Sequence, residues 1–156
     1  MSDKKLSVYL ETSVISHLSN RPSQNTTIAL FQSATREWWA IKREKYNLVV
    51  SSVVLEEISQ GNLEASKKRV SAIKEIKLLQ LDLKTFELGN LLIKQKIIPE
   101  KAERDAFHIA LTMTNKIDCL LSWNCRHIVN VLVSRIFRHR LEGIQVVFET
   151  LTGCSL

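Results

Sequence analysis

Five short runs rich in β-branched and other apolar residues, separated by stretches of helical periodicity, constrain this chain more than any other feature. The runs fall at residues 7–10, 47–51, 76–81, 118–122 and 144–148. Each is too brief for an amphipathic helix and has the length of a strand. Their nearly continuous apolar character marks strands covered on both faces. Strands that alternate with helices are joined by crossovers. The expected architecture is therefore an α/β fold, with helices covering both faces of a parallel sheet.

The intervening stretches read as helices. Residues 26–45 repeat Ile28, Phe31, Trp38 and Ile41 at roughly helical spacing, with one ring of the Trp38-Trp39 pair expected inside and the other partly exposed. Residues 52–60 form a short helix that Ser52 caps. Asn62 opens the next, whose Leu63, Val70 and Ile73 back a solvated basic face of Lys67, Lys68, Arg69 and Lys74. Residues 83–96 are amphipathic, and Pro99 opens a segment to about residue 115 with Ala106, Ile109, Ala110 and Met113 as its buried stripe. A last helix over 125–141 sets Ile128, Leu132 and Ile136 against Arg135, Arg138, His139 and Arg140 and ends near Gly143.

At 156 residues the chain fits one domain, expected over 1–150 with a short tail at 151–156. Lys plus Arg number 22 against 16 Asp plus Glu, a net +6 that admits a polyanionic partner without establishing one. Cys119, Cys125 and Cys154 show no CxxC spacing, so neither a disulfide framework nor a zinc site is indicated, and a reducing cytoplasm is the natural compartment. The N-terminus lacks the apolar segment of a secretory signal, and no run approaches the ~18 apolar residues that would span a membrane.

In open parallel sheets, ligands collect beyond the carboxyl ends of the strands. Polar groups stand at or near four such places: Glu11-Thr12-Ser13, Glu56-Glu57, the pair Glu103 and Asp105, and Ser122-Trp123-Asn124. Brought together, they would form a ring of oxygen ligands suited to Mg²⁺ or Mn²⁺. A cation so held can activate water and neutralise charge developing on a phosphodiester.

The segments YLETSVIS, SSVVLEEISQG, ERDAFHIALT and LLSWNCRHI resemble, in their order, the motifs of PIN domains, and in particular of VapC toxins from bacterial toxin-antitoxin pairs. The likeness runs through nearly the whole chain. It implies a three-layer α/β/α, Rossmann-like PIN domain with a five-stranded parallel sheet of order 3-2-1-4-5. It further implies an Mg²⁺- or Mn²⁺-dependent endoribonuclease with an RNA substrate, a cognate antitoxin and a homodimeric state.

By that resemblance Glu11, Glu57, Asp105 and Asn124 take the four catalytic positions, with Glu11, Glu57 and Asp105 on the metal. Ser13 would hold a carboxylate or a water, Glu103 would support the site, and Arg126 would face a phosphate. Glu57 is preferred to Glu56 because Glu57-Ile58-Ser59-Gln60-Gly61 matches the family pattern, which leaves Glu56 at the surface or paired with a cation. Two positions depart from the pattern. Glu11 replaces an Asp, so the metal sits farther out or the carboxylate folds back, and neutral Asn124 removes a charge.

His108 reads as a helix-face histidine bonded to a neighbour, outside the catalytic set, and Trp123 as a core aromatic. The rival reading is an eroded PIN fold that binds RNA or protein without cutting. Processing of DNA flaps or single strands suits so short a chain less well.

Overall fold

The computed structural model describes residues 4–124 and Ile128. Four parallel strands, β1 (Ser7–Leu10), β2 (Asn47–Ser51), β3 (Lys77–Leu79) and β4 (Cys119–Leu121), lie in the order β3-β2-β1-β4. Tyr9 is in register with Val49 on one side and with Leu120 on the other. This is the expected order for the first four strands. The strand expected at 144–148 and the helix expected at 125–141 lie outside the described residues.

β1 is flanked on both sides, and Val8, Tyr9 and Leu10 are all buried, as its unbroken apolar run predicts. From β1 the chain moves outward to β2 and β3, then crosses back to set β4 on β1's other flank. That reversal makes the carboxyl ends of β1 and β4 the switch point of the sheet.

β1 leads almost directly into α1 (Thr12–Ser19), a helix not among those expected from the sequence. α2 (Thr26–Lys42) continues into a 3₁₀ turn at Arg43–Lys45. α3 (Ser52–Ile58) and α4 (Leu63–Ala72) follow β2, α5 (Leu83–Lys94) follows β3, and a 3₁₀ turn after Pro99 opens α6 (Glu103–Thr114).

Several details correct the sequence reading. The buried face of α2 is Gln32, Thr35 and Trp38, whereas Ile28 and Ile41 are exposed. Polar groups are tolerated there because each is bonded. Gln32 accepts from Ser23 N and donates to Arg21 O, and Thr35 donates to Phe31 O while accepting from Trp123 Nε1. Ser51, not Ser52, caps α3 by accepting from Val54 N. Arg69, expected on a solvated face, donates to Ile58 O and Gln60 O.

α6 carries no single stripe. Every residue from Ala106 to Thr112 is buried, so the helix is enclosed all round. Helices α5 and α6 end on left-handed lysines, Lys96 (φ 56°) and Lys116 (φ 52°), that occupy the place usually taken by glycine. Without that glycine signal the end of α5 reads two residues too late.

Gly89 fixes the approach of α5 to α6. A Cβ there would lie 2.6 Å from Phe107 Cε1 and closer still to Cδ1. The Phe107 ring is itself stacked on Phe86 and has little room to retreat. Ala normally favours a helix over Gly by about 1 kcal/mol. Here Gly89→Ala is expected to lose about 1–3 kcal/mol through overpacking. Urea unfolding checks this, and a stabilised variant would refute the close-packing account.

Candidate active site

The carboxyl ends of β1, β2 and β4 deliver the polar groups expected there. Glu11 follows β1 and remains bound to the sheet through its N–H, which donates to Leu121 O at 3.1 Å. Its side chain folds back as the cap of α1, accepting from Ser13 N at 3.1 Å, from Ser13 Oγ, and from Ser122 Oγ at 2.8 Å. All three bonds fall on Oε2. Of the two ways to accommodate the extra methylene, the structure adopts the folded-back one. Only 5% of Glu11 is exposed.

Glu57 sits in the last turn of α3, its side chain 20% exposed. Its Oε1 accepts from His108 Nε2 at 2.9 Å. Ligand atoms of Glu11, Glu57 and His108 all lie within 4.8 Å of one another, the group of potential metal ligands found among the described residues. Neighbouring Glu56 points outward and pairs with Arg104 at 2.8 Å, as expected of the carboxylate not chosen.

Other expected members are placed as follows. Ser13 Oγ accepts from Trp123 N at 2.9 Å while donating to Glu11, so it ties α1 to the segment after β4. Asp105 is half-buried in the first turn of α6, outside the three-residue group. Glu103 begins α6 and is exposed. Asn124 is half-buried, its N–H donating to Ser122 Oγ at 2.8 Å. Arg126 lies outside the described residues. Trp123 packs against the core, stacked on Phe31 with ring centroids 4.3 Å apart.

His108 is the member that sequence reasoning left out. It is 1% exposed, with Nε2 on Glu57 and Nδ1 2.7 Å from Tyr9 Oη. Tyr9 Oη is in turn 2.7 Å from Ser51 Oγ. The available signal was the spacing of Asp105 and His108, three residues apart on one helix and hence on neighbouring sites of one face. Tyr9 reads as an ordinary core residue of a central strand, and no pattern in the sequence singled it out.

The electrostatics follow from burial and these contacts. Burial would raise the Glu57 carboxyl, but the hydrogen bond and electrostatic pull of the His108 Nε2–H outweigh it and hold the group below its ordinary 4.5, with smaller help from Thr12 and Arg104. The Thr12 hydroxyl acts by proximity, for its buried Oγ1 meets no partner with full hydrogen-bond geometry among the described residues. Burial pushes the Tyr9 phenol far up, and the charges of Glu11 and Glu57 add to this against a lowering bond from Ser51, so the phenol stays protonated. Burial lowers His17, against an opposing pull from Glu11.

Comparison with known proteins bears on this arrangement. Crystal structures superpose from VapC20 of Mycobacterium tuberculosis, described as a Sarcin-Ricin loop cleaving toxin, and from VapBC2 of Rickettsia felis bound to a promoter DNA fragment. The first has a TM-score of 0.56 at 14% identity, over 79% of this chain and 94% of that one. The second has a TM-score of 0.59 at 12% identity, over 91% of this chain and 98% of that one. The chain shares the fold of these proteins. No protein-family model and no curated protein matches the sequence. Among the described residues no helix is long and apolar enough to cross a membrane.

The depressed Glu57 carboxyl has a definite consequence. A group whose folded pKa lies below its unfolded one adds stability above the unfolded pKa and loses it as pH falls through the folded value. Between about pH 5 and about pH 3, wild-type stability is expected to fall more steeply than that of Glu57→Gln. Urea midpoints measured across that window decide the point, and parallel slopes would exclude the Glu57–His108 contribution.

Proposed function

We propose that this chain is a metal-dependent endoribonuclease that hydrolyses RNA phosphodiester bonds, the toxin of a type II toxin-antitoxin pair. The observation that carries the reading is the convergence of Glu11, just after β1, and Glu57, from the last turn of α3, into one shielded group at the switch point of the fold. Shielded carboxylates at such a separation repel one another unless a cation or hydrogen-bond donors compensate. The toxin character of VapC20 supports the cellular role, and the VapBC2 assembly supports a cognate antitoxin.

A divalent cation fits the residues present. The donor set is oxygen-rich, as Mg²⁺ and Mn²⁺ prefer. The buried Thr12 Oγ1 beside Glu57, which meets no partner with full hydrogen-bond geometry among the described residues, is the kind of polar atom that a further ligand or water completes. Glu11 and Glu57 would hold the ion, joined by Asp105 from α6. When bound, it supplies Lewis-acid stabilisation of the charge developing on the phosphate.

The rest is work for the chain itself. Ser13 and Ser122 fix Glu11 through three bonds on one oxygen. His108 fixes one oxygen of Glu57. One of the carboxylates would accept the proton of the attacking water. Asn124 would contribute a neutral oxygen that orients water, Glu103 would support the site, and Arg126 is assigned the pairing with a phosphate. In this reading residues 1–150 form a single three-layer domain completed by a fifth strand, which acts as a homodimer in the cytoplasm.

Cleavage of a labelled structured RNA is the direct test. Activity is expected with Mn²⁺ or Mg²⁺, none with EDTA, and a loss of at least about a hundredfold in both Glu57→Gln and Asp105→Asn. A folded wild type that binds RNA but cuts none of several RNAs would instead establish a binding module with an eroded centre. Equal cutting by all three proteins would point to a contaminating nuclease.

A further inference from the structure

Behind Glu57 runs a chain of buried hydrogen bonds that none of the roles assigned above uses in full. Val54 N–H donates to Ser51 Oγ at 3.2 Å, Ser51 Oγ meets Tyr9 Oη at 2.7 Å, Tyr9 Oη meets His108 Nδ1 at 2.7 Å, and His108 Nε2 meets Glu57 Oε1 at 2.9 Å. The members come from β2, β1, α6 and α3. Ser51 and Tyr9 are fully buried and His108 nearly so.

Counting protons gives the chain a direction. Nε2 faces a carboxylate oxygen at 2.9 Å, a distance at which two lone pairs repel, so Nε2 carries a proton. Ser51 Oγ already accepts from Val54 N–H, and Tyr9 Oη is its other partner among the described residues. The Ser51 proton is therefore satisfied only if it points at Tyr9. Tyr9 must then donate onward to His108 Nδ1, which accepts it as an unprotonated nitrogen. This is the arrangement in which every buried proton of the chain has an acceptor, and leaving one without costs about 1–3 kcal/mol. A histidine that bound the cation directly through Nε2 would reverse the chain and strand the Ser51 proton.

We propose that Tyr9 is a positioning residue that acts through His108: it holds the imidazole as the Nε2–H tautomer, and the imidazole in turn fixes the Glu57 carboxylate. His108 is thereby a donor to the site and not a ligand within it. The inference rests on the metal-site reading given above and adds residues, Tyr9 and Ser51, that lie one layer deeper. Groups in such supporting positions commonly change metal affinity 10- to 100-fold when removed.

Two measurements test it. Nitrogen NMR of the ¹⁵N-histidine-labelled wild type at pH 8 reads the tautomer without any substitution. An unprotonated Nδ1 and a protonated Nε2 on His108 are expected, and the opposite tautomer overturns the proposal. Calorimetric Mn²⁺ binding is then compared among wild type, Tyr9→Phe, His108→Ala and the double variant, with circular dichroism confirming that each is folded. Tyr9→Phe should weaken binding about tenfold and His108→Ala at least as much. The double variant should be no weaker than His108→Ala, because Tyr9 has nothing left to act through.

His108→Gln, whose amide offers a donor at the Nε2 position without help from Tyr9, should regain most of the affinity. Unchanged binding in Tyr9→Phe, or losses that simply add, overturns the positioning role while leaving the ribonuclease reading intact. A folded wild type that binds no Mn²⁺ overturns the metal reading and the positioning role with it, and the wild-type titration alone identifies that failure.

Discussion

Two carboxylates brought within 4.8 Å of each other, one on a residue only 5% exposed, set the terms for the rest of this molecule. A shielded anion loses hydration that only well-placed donors replace, and a second anion nearby raises the cost. Glu11 is supplied with three donors on a single oxygen, and Glu57 with a histidine. These donors come from α1, from the residue after β4 and from α6, so the Glu11 carboxylate takes donors from both sides of a separation of 111 positions. The arrangement exists only when the sheet is assembled in its correct order and register.

That dependence is visible strand by strand. The Glu11 N–H bonds to Leu121 O, which sets the next residue on that strand, Ser122, against the Glu11 side chain. Tyr9 pairs in register with Val49, two residues before Ser51 on the same strand, and so Tyr9 and Ser51 meet across the sheet. A slip of one residue would turn Tyr9 to the opposite face of the sheet and break every link toward His108. The strand order reverses at β1, so the carboxyl ends of β1 and β4 meet where a switch point is expected. The sheet order thus decides which side chains can meet.

Much of this was legible in the sequence, for reasons that differ from residue to residue. β1 and β2 could be placed to the residue because β-branched runs flanked by capping residues leave little freedom. Consecutive helical positions diverge by about 100°, so only one of Glu56 and Glu57 can face inward, and the resemblance of residues 57–61 to a PIN-domain pattern pointed to Glu57. The buried face of α2 could not be read, since Gln32 and Thr35 are inside only by virtue of partners at Arg21, Ser23 and Trp123 that periodicity does not reveal. Likewise the spacing of Asp105 and His108 sets them on one helix face without revealing the role of His108. Its meaning lies in Tyr9, 99 positions away.

Glu11 brings the demands of folding and of the site onto one side chain. The Glu11 carboxylate curls over the start of α1 and accepts the Ser13 N–H, where the positive end of the helix favours negative charge. One oxygen takes the cap and both serine hydroxyls. It anchors the carboxylate to a helix terminus and to β4 at once, and rotation of that carboxylate would break a helix cap together with the link between β1 and β4. Stability and the geometry of the site are in this way carried by the same three hydrogen bonds.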